Sequence, residues 1–222
     1  MKGCIILFAI ALTAIACHKD QSIAATPIKF SNVLILGNSI TYSPADGSLG
    51  WYGNWGMAAT VADSDYVHIL TAKFKQQNDS CKVVADNIAV FETGFATYDL
   101  NANLQAYRDS KPDLLIIRIG ENIQTGFDTV LFNTKYAALV SYFKATNPNI
   151  RVFAAGSFWP GRDGVDAIMK QYSPFLSLSY LSADLNNYSF GLWANSAVQQ
   201  HPSNKGMKAI SNAMWPQIEA LK

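Results

Sequence analysis

Val33-Leu34-Ile35-Leu36-Gly37-Asn38-Ser39-Ile40-Thr41 is an apolar run that stops abruptly at a Gly-Asn-Ser turn. Four consecutive apolar, partly β-branched residues bounded by turn formers read as a strand buried on both faces, the pattern of a parallel sheet. Open parallel sheets bind ligands at the carboxyl ends of their strands, where Gly37 lets the backbone turn tightly and Asn38 tolerates unusual dihedrals. Ser39 is therefore predicted at the mouth of a cleft. Taken alone, the Asn-Ser pair reads more readily as a cap for the segment that follows.

The rest of the chain repeats the alternation. Strand-like runs at Lys82 to Val90, Leu114 to Ile119, Arg151 to Ala155 and Leu176 to Leu181 interleave with helical patterns at Tyr66 to Gln77, Leu100 to Arg108, Phe132 to Ala145, Asp166 to Tyr172 and Asn204 to Leu221. Such alternation predicts an α/β domain, a three-layer α/β/α sandwich around a central parallel sheet of about five strands. A chain of 222 residues, 50% of them hydrophobic, can bury a core without covalent staples.

Two stretches change the reading of Ser39. The run ending at Ile119 gives way to Gly120-Glu121-Asn122, and His201-Pro202-Ser203-Asn204-Lys205-Gly206 precedes the last helix. A Ser at one strand end, an Asn at another and a His before the closing helix resemble the SGNH branch of the GDSL hydrolases. Gly37-Asn38-Ser39-Ile40 stands where that family has its Gly-Asp-Ser-Leu block, Gly120-Glu121-Asn122 where it has Gly-x-Asn-Asp, and His201-Pro202 with Gly206 where it has its His block. The resemblance spans roughly residues 33 to 221. It implies a flavodoxin-like strand order and a serine esterase acting without metal or organic cofactor. Ser39 would be its nucleophile, His201 its base, and Ser39 N–H, Gly94 N–H and the Asn122 amide its oxyanion donors.

The chemistry agrees with those roles. A neutral hydroxyl attacks an ester too slowly unless a base within hydrogen-bond reach takes its proton, and the resulting oxyanion needs fixed donors. One member is missing: the family acid lies three residues before the His, and here that residue is Val198. Three explanations remain open. A backbone carbonyl fixes the imidazole tautomer, or Glu121 or Glu92 substitutes for the acid, or the protein is a weak or inactive enzyme.

Between Tyr42 and Asp65 lies a long loop rich in Gly and carrying Trp51, Tyr52 and Trp55. Its length and aromatics predict a loop folded over the site. Its indoles, with Trp159 beyond the fourth strand, are candidates for stacking on sugar rings; Trp51 and Trp55 read equally well as a small core of the loop itself. His68, inside a helical pattern, reads as a packed or surface residue.

Residues 1–17 read as an export signal, with Lys2 ahead of an apolar segment too short to span a bilayer comfortably. Ala14-Ile15-Ala16-Cys17 resembles a bacterial lipobox, which implies lipidation of Cys17 and a lipid anchor in the periplasm or on the outer-membrane surface. Residues 18–30 read as a tether and 31–222 as the hydrolase domain. With Cys4 in the leader and Cys17 acylated, Cys81 is left alone. A net charge of +1 without a basic run excludes a nucleic-acid partner, and no metal-ligand spacing is present. The leading expectation is hydrolysis of an O-acyl group, acetyl above all, on a carbohydrate or a small-molecule ester. The alternatives are a lipid-directed esterase, such as a lysophospholipase or acyl-thioesterase, and a glycan-binding protein on the same fold. A nucleotide-binding protein ranks lower, because Gly37-Asn38-Ser39 lacks the Gly-rich phosphate loop and its Lys.

Overall fold

The computed structural model describes residues 29–221. The expected leader, Cys17 and nearly all of the tether lie outside the described residues. Five parallel strands form one sheet: β1 (Asn32–Gly37), β2 (Lys82–Asn87), β3 (Leu114–Arg118), β4 (Arg151–Ala155) and β5 (Phe175–Leu176), in the spatial order β2-β1-β3-β4-β5. The chain steps from β1 outward to the edge strand β2, then returns across β1 to β3. That reversal opens a crevice between the carboxyl ends of β1 and β3, where sheets of this kind bind ligands.

Period-two alternation sends the two faces of the sheet into separate cores. Val33 and Ile35 of β1, with Leu114 and Ile116 of β3, pack with Leu70 and Phe74 of α1 (Tyr66–Gln77) and Ile210, Met214 and Ile218 of α7 (Asn204–Glu219). Leu34, Leu36, Leu115 and Ile117 pack on the other side with Leu104 of α3 (Leu100–Asp109), Phe132, Tyr136 and Leu139 of α4 (Thr129–Lys144), and Val165 of α5 (Asp163–Met169). The result is the expected three-layer α/β/α sandwich. Both faces of β1 and β3 are buried, which is why those segments read as unbroken apolar runs.

Two expected strands are shorter than their sequence patterns. β2 stops at Asn87, whose side-chain oxygen accepts the Ala89 N–H and starts α2 (Ala89–Gly94). β5 holds only two residues, because Ser177 turns to donate its hydroxyl to Asp166 and the chain continues as a 3-10 turn over Ser179–Ala183.

The loop between residues 42 and 65 is ordered by its own small core. Bridges at Ser43–Trp55 and Asp46–Trp51 close it, and Trp51 sits fully buried among Met57, Ala58 and Val198. Trp51 meets Trp55 and Trp193 edge-on, at centroid distances of 5.7 and 5.3 Å. Buried Asp65 ties the loop to α1: it accepts the Gly56 N–H at 2.9 Å and caps the helix through the His68 N–H at 2.7 Å. It also accepts from His68 Nδ1 at 2.9 Å, so His68 is a packing partner of the cap. That bond holds the His68 imidazole above its usual pKa.

Candidate active site

β1 delivers Ser39 to the crevice through a turn that its neighbours require to be small. A Cβ on Gly37 would overlap the Thr41 side chain and press on the Arg118 carbonyl. The turn closes where Thr41 N–H and Tyr42 N–H both donate to the Asn38 carbonyl, at 2.8 and 3.0 Å. The Met57 N–H donates to the Ser39 carbonyl at 2.8 Å, so the aromatic loop is fastened to the serine itself. The Ser39 N–H makes no hydrogen bond to any of the described residues, and Ser39 is only half-buried.

His201 approaches from the other end of the chain. A one-turn helix, α6 (Ser196–Gln199), is capped by Asn195 and leads directly into it. His201 Nε2 lies 2.8 Å from Ser39 Oγ, and His201 Nδ1 lies 2.9 Å from the Ala197 carbonyl oxygen. A carbonyl only accepts, so Nδ1 carries the proton and Nε2 presents a lone pair to the serine hydroxyl. Burial lowers the His201 pKa below the usual histidine value, with the Ala197 carbonyl acting weakly the other way. The imidazole is thereby kept neutral and able to accept a proton at pH 7. Val198 faces away from His201, fully buried with Trp51, Met57 and Ala58. Among the three explanations for the absent acid, this geometry matches the backbone carbonyl.

Asn38, the residue before Ser39, enters a buried polar network. Arg118 forms an ion pair with Glu121 and donates to Asn38 Oδ1 at 3.1 Å. Asn38 Nδ2 donates to Glu121 Oε2 at 2.7 Å and to Glu92 Oε1 at 3.3 Å. Glu121 Oε1 also accepts the Phe158 N–H at 2.7 Å. Glu92, reaching over from α2, accepts the Gly120 N–H and, at 2.7 Å, Asn122 Nδ2. Burial first, and the neighbouring Glu121 charge second, push the Glu92 carboxyl above its ordinary pKa.

Ser39 and His201 thus meet as the sequence predicted, and Asn122 stands at the end of β3 held by Glu92. The structure places the remaining candidates as follows. Glu121 and Glu92 are not partners of His201, since Arg118 and amide donors occupy them. Gly94 ends α2, seven residues beyond the Asn87 that pairs with Gly37, and its carbonyl accepts from Thr97 and Tyr98; among the described residues no hydrogen bond ties it to the Ser39 turn. Trp51, open in sequence between sugar stacking and a core for its own loop, is enclosed with its Nε1 donating to the Ser43 carbonyl, which matches the loop core. Trp55 is half-buried with its Nε1 on the Ala59 carbonyl, serving the loop core in part. Trp159 stays half-exposed, edge-on to the His201 ring at 5.9 Å, with its Nε1 donating to the Gln200 carbonyl.

Sequence reasoning missed Arg118, and it anticipated a backbone carbonyl on His201 without naming Ala197 as its source. Arg118 carried a signal, a lone cation inside an otherwise apolar strand run, which demands a buried anion nearby. A backbone carbonyl carries none. Among the described residues no group of three or more His, Cys, Asp or Glu side chains is arranged to hold a metal ion.

No protein-family model matches the chain, and no curated protein matches it in sequence. Solved structures do match in shape. A Parabacteroides merdae protein described as a GDSL-like lipase superposes with a TM-score of 0.60 at 19% identity, over 89% of this chain and 99% of that chain. The fold is that of the SGNH hydrolases. A family two carbohydrate esterase from Clostridium thermocellum, in complex with cellohexaose, superposes with a TM-score of 0.54 at 17% identity, over 87% of this chain and 65% of that one. A family two carbohydrate esterase from Cellvibrio japonicus gives 0.52 at 17% identity, over 86% and 62%. This chain therefore spans less than two thirds of either carbohydrate esterase. On this fold, Ser39 meets His201 beyond the end of β1, and Glu92 links Asn122, beyond the end of β3, to Asn38 beside the serine.

Proposed function

We propose that the protein is a serine esterase that removes an O-acyl group, acetyl foremost, from a carbohydrate. The observation that carries this reading is the 2.8 Å contact between Ser39 Oγ and His201 Nε2, with Nδ1 already fixed on a carbonyl. In the proposed mechanism the Ser39 hydroxyl adds to the ester carbonyl carbon while its proton passes to Nε2. The tetrahedral oxyanion is met by the Ser39 N–H and by the Asn122 N–H that Glu92 does not take. Collapse expels the sugar alkoxide, which takes the proton from Nε2. Water, deprotonated by the same nitrogen, then cleaves the acyl-serine and regenerates the hydroxyl.

The imidazolium formed in the first step has no ion-pair partner among the described residues. The Ala197 dipole and the more distant Glu121 charge stabilise it instead, the latter opposed by Arg118. A carbohydrate leaving group is supported by the half-exposed Trp159 beside His201, and by the sugar-bound state of an esterase that shares the fold. A second reading, a lipid-directed esterase, draws on the groove lined by Trp159, Pro160, Leu185, Tyr188 and Phe190, whose apolar side chains suit an acyl chain. The apolar leader and the Ala14-Ile15-Ala16-Cys17 sequence support export and lipid anchoring.

Hydrolysis of p-nitrophenyl acetate, butyrate and octanoate by residues 18–222, beside Ser39→Ala, tests the proposal. The expected outcome is Ser39-dependent turnover that falls with acyl length, together with acetate release from acetylated oligosaccharides. A preference for octanoate favours the lipid reading, and turnover equal to that of Ser39→Ala contradicts both.

A further inference from the structure

Glu92 is 1% exposed and receives four N–H donors: Gly120 N, Asn122 N, Asn122 Nδ2 and Asn38 Nδ2. Among the described residues no Lys, Arg or His nitrogen lies within 4.0 Å of its oxygens, because the one cation of the network, Arg118, is paired with Glu121. An isolated buried carboxylate next to a second one is costly, and a glutamine or an apolar side chain would fill the same space more cheaply. What a carboxylate offers, and an amide does not, is acceptor capacity alone.

That property bears directly on Asn122. The two ends of an asparagine amide have nearly the same shape, and a half-turn about its last side-chain bond exchanges N–H donors for a carbonyl oxygen. Pointed at a developing oxyanion, the oxygen would repel it. With ionised Glu92 Oε2 at 2.7 Å, only the Nδ2 end can face the carboxylate, and the second Nδ2 hydrogen has no acceptor among the described residues. Glu92 also grips the Gly120 and Asn122 N–H groups, so one side chain fixes both the loop after β3 and the amide it carries.

We propose that Glu92 is a positioning residue that locks the Asn122 amide with a free N–H toward the acyl oxygen at Ser39. The inference rests on the esterase reading above.

A double-mutant cycle on p-nitrophenyl acetate turnover tests it, using Glu92→Gln, Asn122→Ala and the combined variant. Asn122→Ala should lower kcat by about 10² to 10³, the usual loss for one oxyanion donor. Glu92→Gln, whose side chain can present N–H to Asn122, should lower kcat by about 10- to 100-fold with KM changed less than about twofold. In the Asn122→Ala background the same change should cost less than about threefold. Equal losses in both backgrounds, or a loss carried by KM, would overturn the proposal while Ser39-dependent wild-type turnover keeps the esterase reading intact. Wild-type turnover that survives Ser39→Ala would remove both. Should Glu92→Gln fail to fold, the side-chain amide protons of Asn122 in the wild-type protein decide the matter by NMR. One exchange-protected, downfield proton is expected, and two rapidly exchanging protons would overturn the proposal.

Discussion

Two imidazoles in this protein are held in opposite ways. His68 rests its Nδ1 on the buried carboxylate of Asp65 at 2.9 Å, and its pKa is raised. His201 rests its Nδ1 on the Ala197 carbonyl at the same distance, and its pKa is lowered. The His-Asp pair, which in many serine hydrolases orients the base, is spent here on closing a loop against a helix. The histidine that faces Ser39 receives a dipole and a dry pocket. The acids near the site are engaged elsewhere: Glu121 neutralises Arg118, and Glu92 gathers amide donors. Tautomer control and charge supply, combined in one residue in the Ser-His-Asp triad, are separated here. A carbonyl sets the tautomer, and in the proposed mechanism the buried carboxylate of Glu92 organises the oxyanion donors.

Breaking the pairing at its functional end has the largest expected effect. His201→Ala and Ser39→Ala should each lower kcat/KM for p-nitrophenyl acetate by about 10⁴-fold or more, measured by steady-state kinetics. His68→Ala should leave the rate within about threefold, since its partner Asp65 serves the fold. Forcing the two arrangements to converge should fail. Val198→Asp puts a carboxylate at the position where the sequence resemblance placed an acid, yet here that side chain packs in the Trp51–Met57–Ala58 core. The variant should lose about 3 kcal/mol of stability in urea denaturation without gaining activity. An increase in kcat/KM would show that the acid position is still functional. Asp65→Asn weakens the charged cap and its bonds to Gly56 and His68, and should cost about 1–3 kcal/mol by the same measurement. It should also return the His68 pKa toward the usual value.

The smallest effects are the titrations themselves. For His201 the folded pKa lies below the unfolded one, so its contribution to stability is present above about pH 6.5 and is lost as pH falls through the folded value. Because neutral Nε2 is the proposed base, kcat/KM should fall on the same acid limb, below about pH 6.5. For His68 the sign reverses: its contribution is present at low pH and disappears as pH rises through the elevated pKa. Two-dimensional NMR of the imidazole resonances should separate the two midpoints on either side of the usual value. Coincident midpoints would remove the distinction between the two histidines.

Much of this was legible in the sequence because it depends on local pattern. The apolar runs of β1, β3 and β4 report burial on both faces, and the period of α1 gave the bounds seen in the structure, Tyr66–Gln77. Ser39, Asn122 and His201 stood out through blocks that resemble those of the SGNH hydrolases, and the structure brings Ser39 and His201 into contact. What stayed hidden depends on tertiary contacts. The β2 pattern continued past Asn87, yet the Asn87 side chain redirects the backbone into α2. That turn is why Gly94 lies in a helix and why Glu92 can reach Gly120 and Asn122. Trp51 and Trp55 look alike in sequence, but only the packing of Val198 and Trp193 distinguishes an enclosed indole from a half-exposed one. The Ala197 carbonyl could not have been found by residue type, since any residue supplies one.

The most direct test of the account is covalent labelling of Ser39 with a fluorophosphonate, read by mass spectrometry of the intact and digested protein. One adduct, on Ser39, absent from His201→Ala and retained in His68→Ala, is the predicted result, because only His201 removes the proton from that hydroxyl. Labelling of Ser39 that persists without His201, or no labelling of the wild-type protein, would contradict it.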